Sequence, residues 1–176
     1  MALHYNEPAT HQKHALIEDV AKEVLDGDKL KNLLEFLEFL KNIKLTPRRF
    51  TNSGWIVKFK GKNVCRIRLY VEEFHYSTND WCIEHDHFSK EKWFVNYEKY
   101  FSDEEITEFI WNHIQKPRCP RNCQNKLMVL GKEFYPACYC HSFCNTNPNG
   151  VELEHSKKLI LIIKACITDL TAASKT

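Results

Sequence analysis

The chain has 176 residues, 43% of them hydrophobic, with 25 basic and 23 acidic side chains and a formal charge of +2. That length and apolar content suit one domain with its own core, and five glycines and six prolines exclude a collagenous or low-complexity chain. A charge so close to balance does not by itself point to nucleic acid or to a membrane.

Met1 to Thr10 carries neither the basic stretch nor the apolar run of a signal peptide. Pro8 to Leu25 reads as a first helix, with Ala15, Leu16, Val20, Val24 and Leu25 apolar, ended by Gly27. Asp28 is placed to cap a second helix over Lys29 to Ile43. There Leu30, Leu33, Leu34, Leu37 and Leu40 form a stripe at helical spacing, widened by Phe36 and Phe39. Pro47 prevents its continuation.

Trp55 to Lys60 and Val64 to Val71 alternate with period two, and Gly61-Lys62-Asn63 reads as the hairpin turn between them. A third strand fits Trp81 to His87, while Trp93 to Phe101 is ambiguous. Ser102, with Glu105 three residues later, makes a capping box for a helix over Asp103 to Ile114. Pro148-Asn149-Gly150 is a turn, and Val151 to Leu170 a last helix. Its densest apolar run, Leu159 to Ile163, stops at Lys164, far short of the roughly 20 residues of a membrane span. Successive strands with short connections predict an α+β fold, an antiparallel sheet flanked by the N- and C-terminal helices. The expected organisation is an α+β domain over residues 1–115, a Cys-rich unit over 116–150 and a helix over 151–176 that packs back on the sheet.

Five of the eight cysteines fall in the segment Cys119-Pro-Arg-Asn-Cys123 to Cys138-Tyr-Cys140-His141-Ser-Phe-Cys144. The expected compartment is the cytoplasm, a reducing one, where such thiols read as metal ligands or buried groups rather than disulfides. Zinc takes four soft or borderline ligands in a tetrahedron, usually as two close pairs. Leu127 to Phe134 reads as a short β-hairpin turning at Gly131, which would return the second group to the first. Ligands on a turn, a hairpin, then ligands ahead of a helix resemble a treble clef. The expected structural zinc ligands are Cys119, Cys123, Cys138 and Cys144, with His141 or Cys140 as alternatives for the fourth. A C-x₃-C pair is less diagnostic than C-x₂-C, and neither it nor C-x-C is the usual redox dithiol.

Between Glu38 and Glu72 the sequence has no acidic residue, and over Lys41 to Val71 it has nine basic ones. Strand alternation puts Trp55, Val57, Phe59, Cys65, Ile67, Leu69 and Val71 on one face, and Lys58, Lys60, Arg66, Arg68 and Tyr70 on the other. A cationic sheet face with an aromatic can track phosphates and stack bases. The competing expectation is a salt-bridged face, because Glu84 and Asp86 of the third strand would face Arg66 and Arg68. His85 and His87 project to one side of that strand, about 7 Å apart, close enough to share a metal. They also continue the apolar face of Trp81 and Ile83, which makes them caps of the core edge. His75 could approach them across a turn. His113 and His155 fall on expected helices with no partner evident in the sequence.

No P-loop, nucleophile elbow, HExxH or dinucleotide glycine pattern occurs. The run from Leu33 to Leu40, the run Gly54-Trp-Ile-Val-Lys-Phe-Lys-Gly-Lys-Asn-Val-Cys-Arg-Ile67, Leu130 to Phe134 and the Cys138 cluster resemble a group of uncharacterised clostridial-type bacterial proteins. The resemblance covers roughly residues 30–165 and implies a bacterial cytosolic protein without supplying an activity. The expected function is a zinc-stabilised binding or interaction module, with nucleic acid or protein as partner. The alternatives are a nucleic-acid-associated regulatory protein using the cationic hairpin face, and a metal-dependent enzyme using His85 and His87.

Overall fold

The computed structural model describes residues 15–70, 79–85, 103–113, 127–129, 132–134 and 143–173. Helix α1 (Ile17–Val24) is followed by α2 (Gly27–Asn42), and then by strands β1 (Pro47–Thr51), β2 (Gly54–Phe59), β3 (Lys62–Tyr70) and β4 (Asp80–His85). Helix α3 (Glu104–His113), the hairpin β5 (Leu127–Val129) and β6 (Lys132–Phe134), strand β7 (Phe143–Thr146) and helix α4 (Gly150–Ala173) complete the order. Strands β1-β2-β3-β4-β7 form one antiparallel sheet in that order, and β5-β6 form a second, two-stranded one. The α+β reading holds, as does a hairpin within Leu127 to Phe134.

The helix boundaries differ from the expected ones for local reasons. Helix α1 starts at Ile17, with Leu16 extended at its N-cap, and Pro8 to His14 lie outside the described residues. Gly27 opens α2 rather than closing α1, in a left-handed conformation at φ 48°, with Asp26 instead of Asp28 as the N-cap residue. At α3 the side chain of Asp103 accepts the amides of Glu105 and Ile106, so Asp103 is the cap in place of Ser102.

The β2–β3 hairpin turns through Lys60 and Gly61, both at positive φ (46° and 76°). Two central residues of that kind make the tight turn whose twist matches paired strands. Strand β1, which sequence reading does not anticipate, is a five-residue edge strand opening on Pro47. Proline is tolerated there because an edge strand leaves one row of amides unpaired.

One face of the sheet is the core. Trp55, Val57, Cys65, Ile67, Leu69, Trp81 and Ile83 are each at most 1% exposed. Helices α2 and α4 pack on the sheet, with Phe36 6.1 Å from the Trp81 ring. The stripe on α2 buries Leu33, Phe36, Leu37 and Leu40. Lys164 interrupts the apolar run of α4 because it reaches across the core edge to donate to the carbonyl of Ile43, closing the C-terminal end of α2. Lys157 joins the same two helices through Glu35 at 2.6 Å.

Residues 143–146 fall in the sequence-defined Cys-rich unit, yet they form the last strand of the main sheet. Asn147 holds this strand in place. Its backbone N–H donates to Trp81 O at 2.8 Å, its Oδ1 accepts the amide of Trp81 at 3.2 Å, and its Nδ2 donates to Asp80 at 2.8 Å. Asp80 is also paired with Lys29 of α2. Asn147 sits at φ 48°, a region that asparagine tolerates better than most residues.

Replacing Asn147 by Ala should cost about 1–3 kcal/mol in urea unfolding, from bonds lost at partly buried partners and from backbone strain. Replacement by Gly should cost less, because it removes the bonds but relieves the strain. Equal stability of the Ala variant and the parent would show that this anchor does not hold β7.

Candidate metal centre

Register decides which side chains meet on the outer face. Arg66 stands opposite Glu84 and Arg68 opposite Cys82 across β3–β4, while Cys82 stands opposite Thr146 and Glu84 opposite Cys144 across β4–β7. These residues alternate with the core set of Ile67, Ile83 and Asn145, so all of them project from the other side of the sheet. Sulfur atoms of Cys82 and Cys144 and a carboxylate oxygen of Glu84 lie within 4.8 Å of one another. Cys82 is fully buried and Cys144 half-buried.

Each of the three has a further polar partner. The Tyr70 hydroxyl lies 3.2 Å from Cys82 Sγ. Arg68 Nη2 donates to Glu84 Oε2 at 3.1 Å, leaving Oε1 directed toward Cys82 at 4.0 Å. Thr146 Oγ1 lies 3.8 Å from Cys144 Sγ.

This network splits the acidity of the two thiols. The hydrogen bond from Cys82 brings Cys144 down to about 7 against the effect of burial, with Thr146 adding to the shift. Cys82 moves well upward, because its proton is held by that same bond and because it is buried. Tyr70 is also raised, by burial first and by its bond to Cys82 second. At neutral pH the arrangement runs from the Tyr70 hydroxyl to the protonated Cys82 and on to a Cys144 that is about half thiolate. Burial would lower the Arg68 pKa, but the charge and hydrogen bond of Glu84 outweigh it and the net direction is upward.

Two thiols with a carboxylate suit a borderline-soft cation such as zinc. Around a tetrahedral zinc with bonds of about 2.3 Å, two sulfurs are about 3.8 Å apart, and this site needs only a small closure to reach that. A disulfide fits less well. Cys82 and Cys144 are diagonal rather than opposite, a placement with Cα atoms about 7–8 Å apart. That exceeds the roughly 7 Å that a disulfide spans without backbone movement.

The expected site residues separate accordingly. Cys144 belongs to the cluster, on a strand of the sheet. Cys119, Cys123, Cys138, Cys140 and His141 lie outside the described residues, as do His75, Asp86 and His87. His85 is on the opposite side of the sheet, fully buried, with Nδ1 3.0 Å from the carbonyl of Val64. A carbonyl only accepts, so Nδ1 carries the proton. A register shift in β3 leaves Val64 without an opposite residue on β2, and His85 serves the backbone at that irregularity. His113 and His155 do have partners, Glu152 at 3.7 Å and Glu105 at 3.5 Å.

On the cationic face, Arg68 is paired with Glu84, as the salt-bridged expectation has it. Lys60 leaves the face: β2 ends at Phe59, and from the turn its ammonium donates to Thr171 of α4 at 3.2 Å. Lys58 remains exposed on the outer side, and Arg66 lies over the Phe50 ring. The sequence pattern names neither Cys82 nor Glu84 as a ligand. Both stand opposite Arg66 and Arg68 across β3–β4, but only the neighbouring β7 turns that pair into a cluster.

No family model, curated protein or solved structure matches the chain. No helix among the described residues is long and apolar enough to cross a membrane.

In chelator-treated protein, alkylation of Cys144 should follow a titration with a midpoint of about pH 7. Cys82→Ala should move that midpoint upward by removing the donor, while Cys65, raised by burial, should stay unlabelled until the protein unfolds. A midpoint that does not move in Cys82→Ala would disprove the thiol pairing.

Proposed function

We propose that this protein is a zinc-stabilised binding module, with the ion held on the outer face of the sheet between β4 and β7. The observation that carries this reading is the convergence of Cys82, Glu84 and Cys144 from two strands far apart in sequence. A buried thiol, a half-buried thiolate and a carboxylate in mutual reach repel once both sulfurs ionise, and a divalent cation reverses the sign of that interaction. Tyr70, Arg68 and Thr146 supply the outer contacts that orient metal ligands. The one remaining position falls to a cysteine of the Cys119, Cys123 and Cys138 group, whose treble-clef-like spacing ends at Cys144 itself.

A structural role suits these residues better than a catalytic one. A catalytic zinc keeps an open position and a general base beside it. At this cluster the carboxylate is Glu84, and Arg68 holds it as a salt bridge. Thiol ligands persist in a reducing compartment, so the cytoplasm is the location we assign. The His85 reading loses support because that imidazole faces the core and serves a backbone carbonyl.

Protein purified without chelator should carry about one zinc per chain by elemental analysis, and chelation should lower its thermal midpoint. Cys82→Ala and Cys144→Ala should each reduce zinc content severalfold, and Cys119→Ser should do the same if that segment closes the shell. His85→Ala should leave zinc content unchanged, whatever it does to stability. Full occupancy in Cys82→Ala would remove Cys82 from the metal site.

A further inference from the structure

The corner of the sheet away from the thiols is built for a different task. It lies within the stretch from Glu38 to Glu72, which has nine basic residues and no acidic one between those glutamates. Register lines up Arg48, Ile56 and Arg66 in one row across β1, β2 and β3. Lys58 is on the same face two residues further along β2, and both Arg48 and Lys58 are exposed. The pairing of β1 with β2 shifts between Arg49 and Thr51, which leaves Phe50 without an opposite residue.

Two residues on from Arg48, Phe50 keeps the outer face, where the Arg66 guanidinium stands 5.4 Å from its ring centroid and 60% of the residue stays exposed. Arg68 is excluded from the surface because it is committed to Glu84, and Lys60 because it bonds Thr171.

We propose that this corner binds single-stranded nucleic acid, with Phe50 stacking on a base and Arg48, Lys58 and Arg66 holding phosphates around it. Arg48 and Arg66 stand two strands apart, about 10 Å at the backbone, far enough to meet different phosphates. A single strand offers the two things this surface can use, repeated negative charge and bare aromatic faces. A duplex hides its base faces, and an acidic peptide supplies the charge but leaves the phenyl ring unused. The proposal names a partner for the binding module and rests on that reading, but it uses none of the zinc ligands.

The test is fluorescence anisotropy of labelled oligothymidylate and oligouridylate with the full chain, over about 50 to 200 mM salt. Affinity should fall with salt at a log–log slope of about −2, the value for three phosphate contacts on a single strand. Phe50→Ala should weaken binding at least about fivefold with the slope unchanged. The double variant Arg48→Glu, Lys58→Glu should weaken it more than about tenfold and flatten the slope. All three residues are exposed, and a thermal melt of each variant verifies folding.

Absence of binding at micromolar protein and low salt would overturn the proposal. So would wild-type affinity in Phe50→Ala, or equally tight binding of polyglutamate. Zinc content measured on the same samples separates the two readings. Zinc-loaded protein that ignores the oligonucleotides refutes this inference alone, whereas metal-free protein that binds them supports it and refutes the zinc site.

Discussion

The pairing of β7 with β4 is the contact on which the rest of the arrangement depends. It joins segments 66 residues apart at Asn147 and Trp81, and a closure of that length carries an entropic cost that local preference cannot offset. Three features meet it. Asn147 takes up a left-handed conformation and bonds Trp81 and Asp80 at once. Asn145, 1% exposed, places its amide on Ser156 of α4 at 3.2 Å. Helix α4 begins only four residues after β7 ends and returns across the core. Closing the sheet and docking the last helix are therefore one event, and the same event sets Cys144 beside Cys82.

The sheet divides its work between its faces. Its core side is a continuous apolar layer against α2 and α4, with His85 occupied at a backbone irregularity. Its outer side changes character from one edge to the other. Arginine, lysine and an exposed phenylalanine occupy β1 to β3, and thiols with a carboxylate occupy β4 and β7. The Arg68–Glu84 pair stands at the boundary. Cross-strand ion pairs of this sort are worth only about 0.2–1 kcal/mol. Its larger consequence is geometric, because it fixes one carboxylate oxygen and leaves the other toward the sulfurs.

The two irregular points in the ladders have separate effects. In β3 the extra residue buries Val64 and Cys65 consecutively and gives His85 an acceptor. In β1 the extra residue is Phe50 itself, exposed beside Arg66. Neither is visible as a pattern in the chain, since each arises from a count of residues on two strands at once.

Periodicity by itself determined the amphipathic helix α2, the alternating strands β2 to β4, their antiparallel order and the two faces of β2 and β3. These are local properties, carried by side chains a few residues apart. It also brought Arg66 and Arg68 to the face of Glu84, and cysteine spacing singled out Cys144. Tertiary structure alone decided that Cys144 belongs to the sheet, that its nearest thiol is Cys82, and that Lys60 turns away to α4. A strand of four residues has no period long enough to announce its partner, and β7 reaches β4 only after the chain has gone out and returned. The thiol–carboxylate cluster is a product of that return, so the linear order of the cysteines could point to one member of it and no further.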